Sequence, residues 1–325
     1  MMVSEKPMIN DFLFLILGLV GLYFGAEWLV GGSSKLALKI GVSPLVIGLT
    51  VVALGTSAPE LAVCLRLNIE GCPDAAIGNI VGSNICNILL ILGFSSLIRP
   101  LQIHRQIIRK EIPILLVVSV ALIVMLMNQE VARWEAFLLC LGIIIYILSS
   151  FKGSNIAPVN EECVKDFEGD VTSKKENGNT ITLILLLIAG LSLLVLGASF
   201  FEKGGIGLAK AFGVSEAVIG LTLLAFGTSL PELATSIVAC VKKEGDIIAG
   251  NAIGSSIFNV LAILGITALY KPITISGISF LDYAFMLGSV VLCGLFIFKQ
   301  LRIGRIKGFV FIVIYGLYIT IILNR

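Results

Sequence analysis

The chain has 325 residues, 57 % of them hydrophobic and 14 % charged, with a formal net charge of +2. An average soluble chain is roughly 45–50 % apolar and about 25 % charged, and a mean hydropathy of +1.04 means more apolar surface than a globule of this size hides. That excludes a soluble two-domain protein; a net charge so near zero says nothing about nucleic acid, and no nucleic-acid partner is expected.

A membrane-crossing helix needs about 20 predominantly apolar residues. Taken along the chain, such stretches lie near 11–32, 44–65, 75–98, 112–128, 134–150, 181–201, 216–240, 247–269, 281–298 and 307–323. These predict ten spans, with the fourth short. The runs are continuous rather than alternating, which excludes a β-barrel. The first run lacks a basic flank and a small-residue cleavage site, so it reads as a span and not as a cleaved signal. The fold class expected is an all-α polytopic membrane protein.

Between the fifth and sixth spans lies the one long polar segment, about 151–180, with both charge signs mixed. It reads as a flexible linker, too short for a folded domain, rather than as a regulatory ion-binding loop. Lys6, Arg66, Arg133, Lys203, Lys210, Lys271 and Arg325 fall on one side of the membrane, and the other sixteen basic residues fall on the opposite side. Positive charge stays inside. The expectation is a multi-pass protein of the plasma membrane, with both termini outside and the 151–180 loop cytoplasmic. Seven scattered cysteines without a CxxC spacing read as reduced packing residues. The only histidine, His104, lies in a basic loop and is expected to be solvated.

The chain contains itself twice. Residues 41–65 match 213–237 at 16 of 25 positions, and 77–93 match 249–265 at 10 of 17, both at an offset of 172. Gly18, Gly25 and Ala26 pair with Gly190, Gly197 and Ala198 on the same offset. The predicted organisation is a first five-helix repeat over 11–150, a cytoplasmic linker over 151–182 and a second repeat over 183–322. Five is odd, so the second repeat enters the membrane inverted. Inverted repeats with a midplane site are typical of secondary transporters, although some pores share them.

The repeated segments carry the chemistry. Gly55-Thr56-Ser57-Ala58-Pro59-Glu60 and Gly227-Thr228-Ser229-Leu230-Pro231-Glu232 sit in the middle of apolar spans. Proline removes a donor and clashes with the carbonyl four residues earlier, here that of a glycine, so each span is expected to open locally. Carbonyls of that turn, including those of Ala53 and Ala225, are then expected to face a cavity. A charge at the bilayer centre costs about 2.5–3.5 kcal/mol on insertion scales. Glu60 and Glu232 have no lysine or arginine in these segments, so a dissolved cation has to balance them. Thr56 and Glu60 are four apart, as are Thr228 and Glu232, Ser83 and Asn87, and Ser255 and Asn259, which predicts shared helix faces. All of these ligands are oxygens, which suits Ca²⁺, Na⁺ or Mg²⁺ over zinc or copper, and their flexibility favours Ca²⁺ over Mg²⁺.

Other repeated residues read as structural. Gly78, Gly82, Gly250 and Gly254 are expected to pack helices, and Asn79 and Asn251 to hydrogen-bond between them. Glu27 has no acidic counterpart and is expected at the interface or paired with Lys35. No nucleophile–base pair accompanies the glutamates, so no enzyme and no cofactor is expected.

The doubled GTS-x-PE, each followed by GN-x-x-GS-[NS]-I-x-N, resembles the two α-repeats of the sodium/calcium exchanger family. That resemblance covers essentially the whole membrane part and implies an antiporter that uses the Na⁺ gradient to expel Ca²⁺ by alternating access. It implies that Glu60 and Glu232 ligate Ca²⁺. It further implies that Thr56, Ser57, Ser83, Thr228, Ser229 and Ser255, with the carbonyls of Ala53 and Ala225, hold Na⁺, that Asn87 supplies an amide, and that sliding of the first and sixth spans gates the site. Some members have Asp where this chain has Asn259, so here two carboxylates balance one Ca²⁺ or two Na⁺, and a third Na⁺ would rest on neutral oxygens. A Ca²⁺/H⁺ antiporter using the same glutamates and a passive cation pore remain as alternatives. The partners expected are the ions and the lipid bilayer.

Overall fold

The computed structural model describes residues 5–152, 179–212, 225–274 and 279–324. Each of the ten apolar runs gives rise to helix. Helix α1 (Glu5–Ile40) is 36 residues long. The second run becomes α2 (Pro44–Thr56) and α3 (Ala58–Ile69), bent by 42° at the break between them. Helix α4 (Pro73–Ile98), α5 (Ile112–Leu126) and α6 (Arg133–Lys152) complete the first half. In the second half α7 (Thr180–Ala211) is followed by the short α8 (Ala225–Gly227), α9 (Leu230–Val241), α10 (Gly245–Tyr270), α11 (Phe280–Phe298) and α12 (Arg305–Leu323). Among the described residues seven helices are long and apolar enough to cross a bilayer, or eight with the bent pair taken as one. The fourth run is a 15-residue helix extended by a π-helical turn at Ile107–Glu111. The seventh run is described only from Ala225, and linker residues 153–178 lie outside the described residues.

Two short antiparallel ribbons tie the halves together. Strand β1 (Leu101–Gln102) pairs with β4 (Arg302–Ile303), and β2 (Glu130–Val131) pairs with β3 (Ile273–Thr274). The register puts Leu101 opposite Ile303 and Val131 opposite Ile273. Shifting Leu101 and Val131 by 172 gives Ile273 and Ile303, so one ribbon is the repeat-related copy of the other. Helix α5 runs from β1 to β2, which sets the ribbons at opposite ends of the bundle.

The longest helices, α1 and α7, pack against each other at glycines. A methyl group on Gly25 would lie 2.8 Å from the Gly190 carbonyl oxygen, and one on Gly197 would lie 2.6 Å from the Leu22 nitrogen. Such approach is open only to residues without a side chain, the small-residue packing used inside membranes. Gly250 and Gly254 play the expected part against α2, with Leu45 and Leu49 carbonyl oxygens 2.8 Å from their missing methyl positions. Gly78 and Gly82 meet nothing within 4 Å among the described residues. Their repeat-related neighbours would be residues 217 and 221, which lie outside that set. The six described cysteines are unpaired, and Cys163 falls in the linker outside them.

Candidate cation-binding site

The site forms where the two broken spans cross. At Ser57 the backbone turns out of the helix (φ −83°, ψ 5°), and Ser229 does the same (φ −88°, ψ 5°). Pro59 and Pro231 then open the next half-helices, where a missing N–H does no harm. Glu60 and Glu232 fall in the first turns of α3 and α9. The unpaired amides at such a helix start carry partial positive charge, which favours a carboxylate there without any basic residue. Both side chains are 1 % exposed. Among the described residues neither carboxylate forms an ion pair.

Each half serves the other's carboxylate. The Ser57 hydroxyl donates to Glu232 Oε1 over 3.2 Å, and Ser229 donates to Glu60 Oε1 over 3.4 Å. Thr56 donates to Asn251 Oδ1 (3.1 Å), and Thr228 donates to Asn79 Oδ1 (3.3 Å). Ser83 lies 3.3 Å from Ser229, and Ser255 lies 3.5 Å from Thr56. Asn79 and Asn251 therefore bond between helices, as their sequence context suggested. The two π-helical turns of α4 and α10 (Cys86–Ile91 and Asn259–Leu264) begin at or beside Asn87 and Asn259. A π turn widens the helix locally and is frequent at functional positions.

Among the described residues four buried carboxyl and amide oxygens are left over. Oε2 of Glu60, Oε2 of Glu232, and Oδ1 of Asn87 and Asn259 are enclosed and have no hydrogen-bond partner. Acceptors without donors are costly inside a protein, and here all four are hard oxygen ligands, two of them anionic. Oxygens of this kind are ligands that a hard cation can take. Asn84 orients one member of the set: it donates to the Ser256 carbonyl (3.2 Å), and its Oδ1 accepts from Asn259 Nδ2 (3.0 Å). That fixes which way the Asn259 oxygen faces. The equivalent Ser256 turns instead to the Ala252 carbonyl of its own helix (2.9 Å).

Several details differ from expectation. Thr56 and Thr228 turn to the opposite half's asparagines rather than sharing a spot with the glutamates four residues on, because the break at Ser57 and Ser229 interrupts the helical spacing. The Ala53 carbonyl is not free; it accepts the Ser57 amide at 3.0 Å and the Thr56 hydroxyl at 3.4 Å. In the other half Ser229 bonds to Phe226 instead (3.2 Å), which leaves the Ala225 carbonyl out of that turn. Glu27 pairs with Lys242, 2.7 Å away at the end of α9 in the other half, rather than with a residue near it in sequence. His104 is exposed as expected. Glu111, at a span edge and with no motif around it, is fully buried. It accepts from Tyr146 (2.9 Å) and Gln106 (3.0 Å), so both its oxygens are satisfied, unlike those of the central pair.

The sequence model of the sodium/calcium exchanger protein family matches residues 10–152 and again 182–324. The chain belongs to the sodium/calcium exchanger family. The exchanger MaX1 of Methanosarcina acetivorans is 33 % identical, over 96 % of this chain and 98 % of its own. The inner membrane protein YrbG of Escherichia coli (strain K12) is 37 % identical, over 84 % of each chain. The solved structure of the sodium-calcium exchanger NCX_Mj soaked with Na⁺ and Sr²⁺ superposes with a TM-score of 0.82, at 32 % identity, over 96 % of this chain and 98 % of that one. As a member of this exchanger family the chain is a multi-pass membrane antiporter of Ca²⁺ against another cation. Its fold is ten helices in two repeats, and it is a transporter, not an enzyme; the ions are its cargo and no cofactor takes part.

Proposed function

We propose that the chain exchanges Na⁺ for Ca²⁺ and normally extrudes Ca²⁺, with both ions competing for one centre between Glu60 and Glu232. The observation that carries this reading is the set of four buried carboxyl and amide oxygens on those glutamates, Asn87 and Asn259 that have no partner among the described residues. Two carboxylates bring two negative charges, which one Ca²⁺ or two Na⁺ neutralise. An empty centre leaves those charges unbalanced in a low dielectric, where they are expensive. Loaded with either ion the centre is neutral, so the loaded states are the ones in which the gates change over. Exchange rather than leak follows from that coupling of charge to conformation. Thr56, Ser57, Ser83, Thr228, Ser229, Ser255 and the Ala225 carbonyl supply neutral oxygens suited to Na⁺ around the carboxylates.

In this reading residues 11–150 and 183–322 are the two opposed halves and 151–182 is a cytoplasmic linker. Both termini lie outside the cell membrane, as the sixteen-to-seven division of basic residues suggests.

The deciding experiment is radiocalcium flux through the purified protein in liposomes, with Na⁺, K⁺ and H⁺ gradients imposed one at a time. Uptake driven by an outward Na⁺ gradient alone supports the proposal. Flux that ignores Na⁺ and follows pH assigns H⁺ as the counter-ion, and flux under no opposing gradient marks a pore.

A further inference from the structure

The face of α7 turned toward the broken spans carries a third carboxylate, and we infer that Glu202 forms a peripheral cation-binding station beside the second break. A methyl group on Gly55 would collide with the side chain of Leu191, whereas one on Gly227 would lie 3.3 Å from the Glu202 carboxylate carbon and from its Oε2. Both glycines open the GTS-x-PE motif. Leu191 and Glu202 are eleven residues apart, a rotation of about 20° beyond three full turns, so one stripe of α7 covers both breaks. Glu202 therefore stands against the backbone one residue before Thr228 and two before Ser229, which bonds to Glu60.

The Glu202 carboxylate is half-buried and, among the described residues, makes no hydrogen bond or ion pair. The neighbouring Lys203 is turned away, its ammonium 4.5 Å from the centre of the Phe14 ring. The repeat-related position of Glu202 is Val30, fully buried and apolar, so this acid belongs to one side of the molecule only. Among the described residues that side is also the one with the looser helix packing. Helix α1 packs along α9 and is tied to it by Glu27 and Lys242, while α7 touches α2 but does not pack along α3. An ion arriving past the Ala211 end of α7 meets Glu202 before it reaches the buried pair. A half-buried carboxylate near a buried anionic centre concentrates cations and speeds their entry.

This inference rests on the exchange reading above, and its test has an arm that does not. In oriented liposomes, E202Q raises the half-saturating Ca²⁺ concentration on the Ala211 side of the membrane about tenfold, the order set by one unit charge at ion-contact range. Maximal flux and the half-saturating concentration on the opposite side stay as in the wild type, and E202D keeps wild-type values. Independently of any counter-ion, equilibrium radiocalcium binding to detergent-solubilised protein leaves a weak site in the E60Q/E232Q double variant, and adding E202Q removes it. An unchanged half-saturation in E202Q, an equal change on both sides, or residual binding that survives E202Q each overturns the assignment. Absence of Na⁺-driven flux in the wild type would instead remove the exchange reading and leave the binding arm to decide this one.

Discussion

Ser57 and Glu232, 175 residues apart, are joined by a 3.2 Å hydrogen bond from hydroxyl to carboxylate, and Ser229 returns the same bond to Glu60. Each half thus completes the other's acid. The centre exists only where the two breaks meet, so any motion that separates them takes the ligands apart. That is a physical basis for coupling ion occupancy to the position of the helices around it.

Removing either central charge should stop exchange. E60Q or E232Q keeps the side-chain shape and leaves a single negative charge, which one Ca²⁺ overcompensates. Na⁺-gradient-driven radiocalcium flux is expected to fall to background in both variants. Wild-type flux in either would remove that glutamate from the centre.

The reciprocal serines should matter about equally. A hydrogen bond to a charged group contributes about 1.5–3 kcal/mol, and the lengths here favour the lower end. S57A and S229A are each expected to weaken Ca²⁺ binding about tenfold, read as the half-saturating concentration in the flux assay or by calorimetry. If S57A weakens binding and S229A leaves it untouched, the two halves do not contribute symmetrically.

The parts of this arrangement that the sequence announces are those with a local signal. Apolar runs announce the helices, Pro59 and Pro231 announce the breaks, and the offset of 172 announces that Glu60 and Glu232 are counterparts. Pairings between halves have no local signal. Spacing puts Thr56 on the face of Glu60, but a turn at Ser57 lies between them, and the hydroxyl ends at Asn251. Which helix lies opposite a given face is set by how the halves cross, and four-residue spacing says nothing about that. The same holds for Glu27, whose partner Lys242 is 215 positions away while Lys35 is eight. The π turns at Asn87 and Asn259 add a residue to a helix without any change in composition, so they too are invisible before the fold is known.

Packing of α10 on α2 leaves no room for a methyl group at Gly254. Its position lies 2.8 Å from the Leu49 carbonyl oxygen and 2.9 Å from the Ala53 side chain, both on backbone-anchored atoms. Overpacking of this kind costs about 1–3 kcal/mol. G254A is expected to lower the unfolding temperature in detergent and to reduce flux, since Ala53 and Ser255 move with it. G316A, where a methyl meets nothing within 4 Å among the described residues, should do neither.

The Glu27–Lys242 pair offers a test of the closed contact between α1 and α9. Lys242 also donates to the Glu27 backbone carbonyl at 3.3 Å, and the repeat-related positions are Ser199 and Glu70, so no equivalent tie joins α7 to α3. K242E places two like charges together and should open this contact, which thiol labelling of a cysteine introduced at Ser34 would report as faster modification. The double exchange E27K/K242E should bring labelling back to the wild-type rate. Fast labelling in the double variant would mean that packing, not the ion pair, holds the contact.

Glu244, at the start of α10 and outside the spans, supplies a pH dependence. Burial pushes its carboxyl above the usual value, and the Ser34 hydroxyl and Lys242 offset only part of that. The folded state therefore holds the Glu244 proton more tightly than the unfolded chain does. Stability from this group is fully present below the ordinary carboxylate value, and it is lost as the pH rises through the raised one. The unfolding temperature of the wild type should accordingly fall between acidic and neutral pH by more than that of E244Q, in which the position no longer titrates. Parallel pH profiles for the two proteins would show that Glu244 is solvated in the folded state and that its burial at the α1–α10 junction is incorrect.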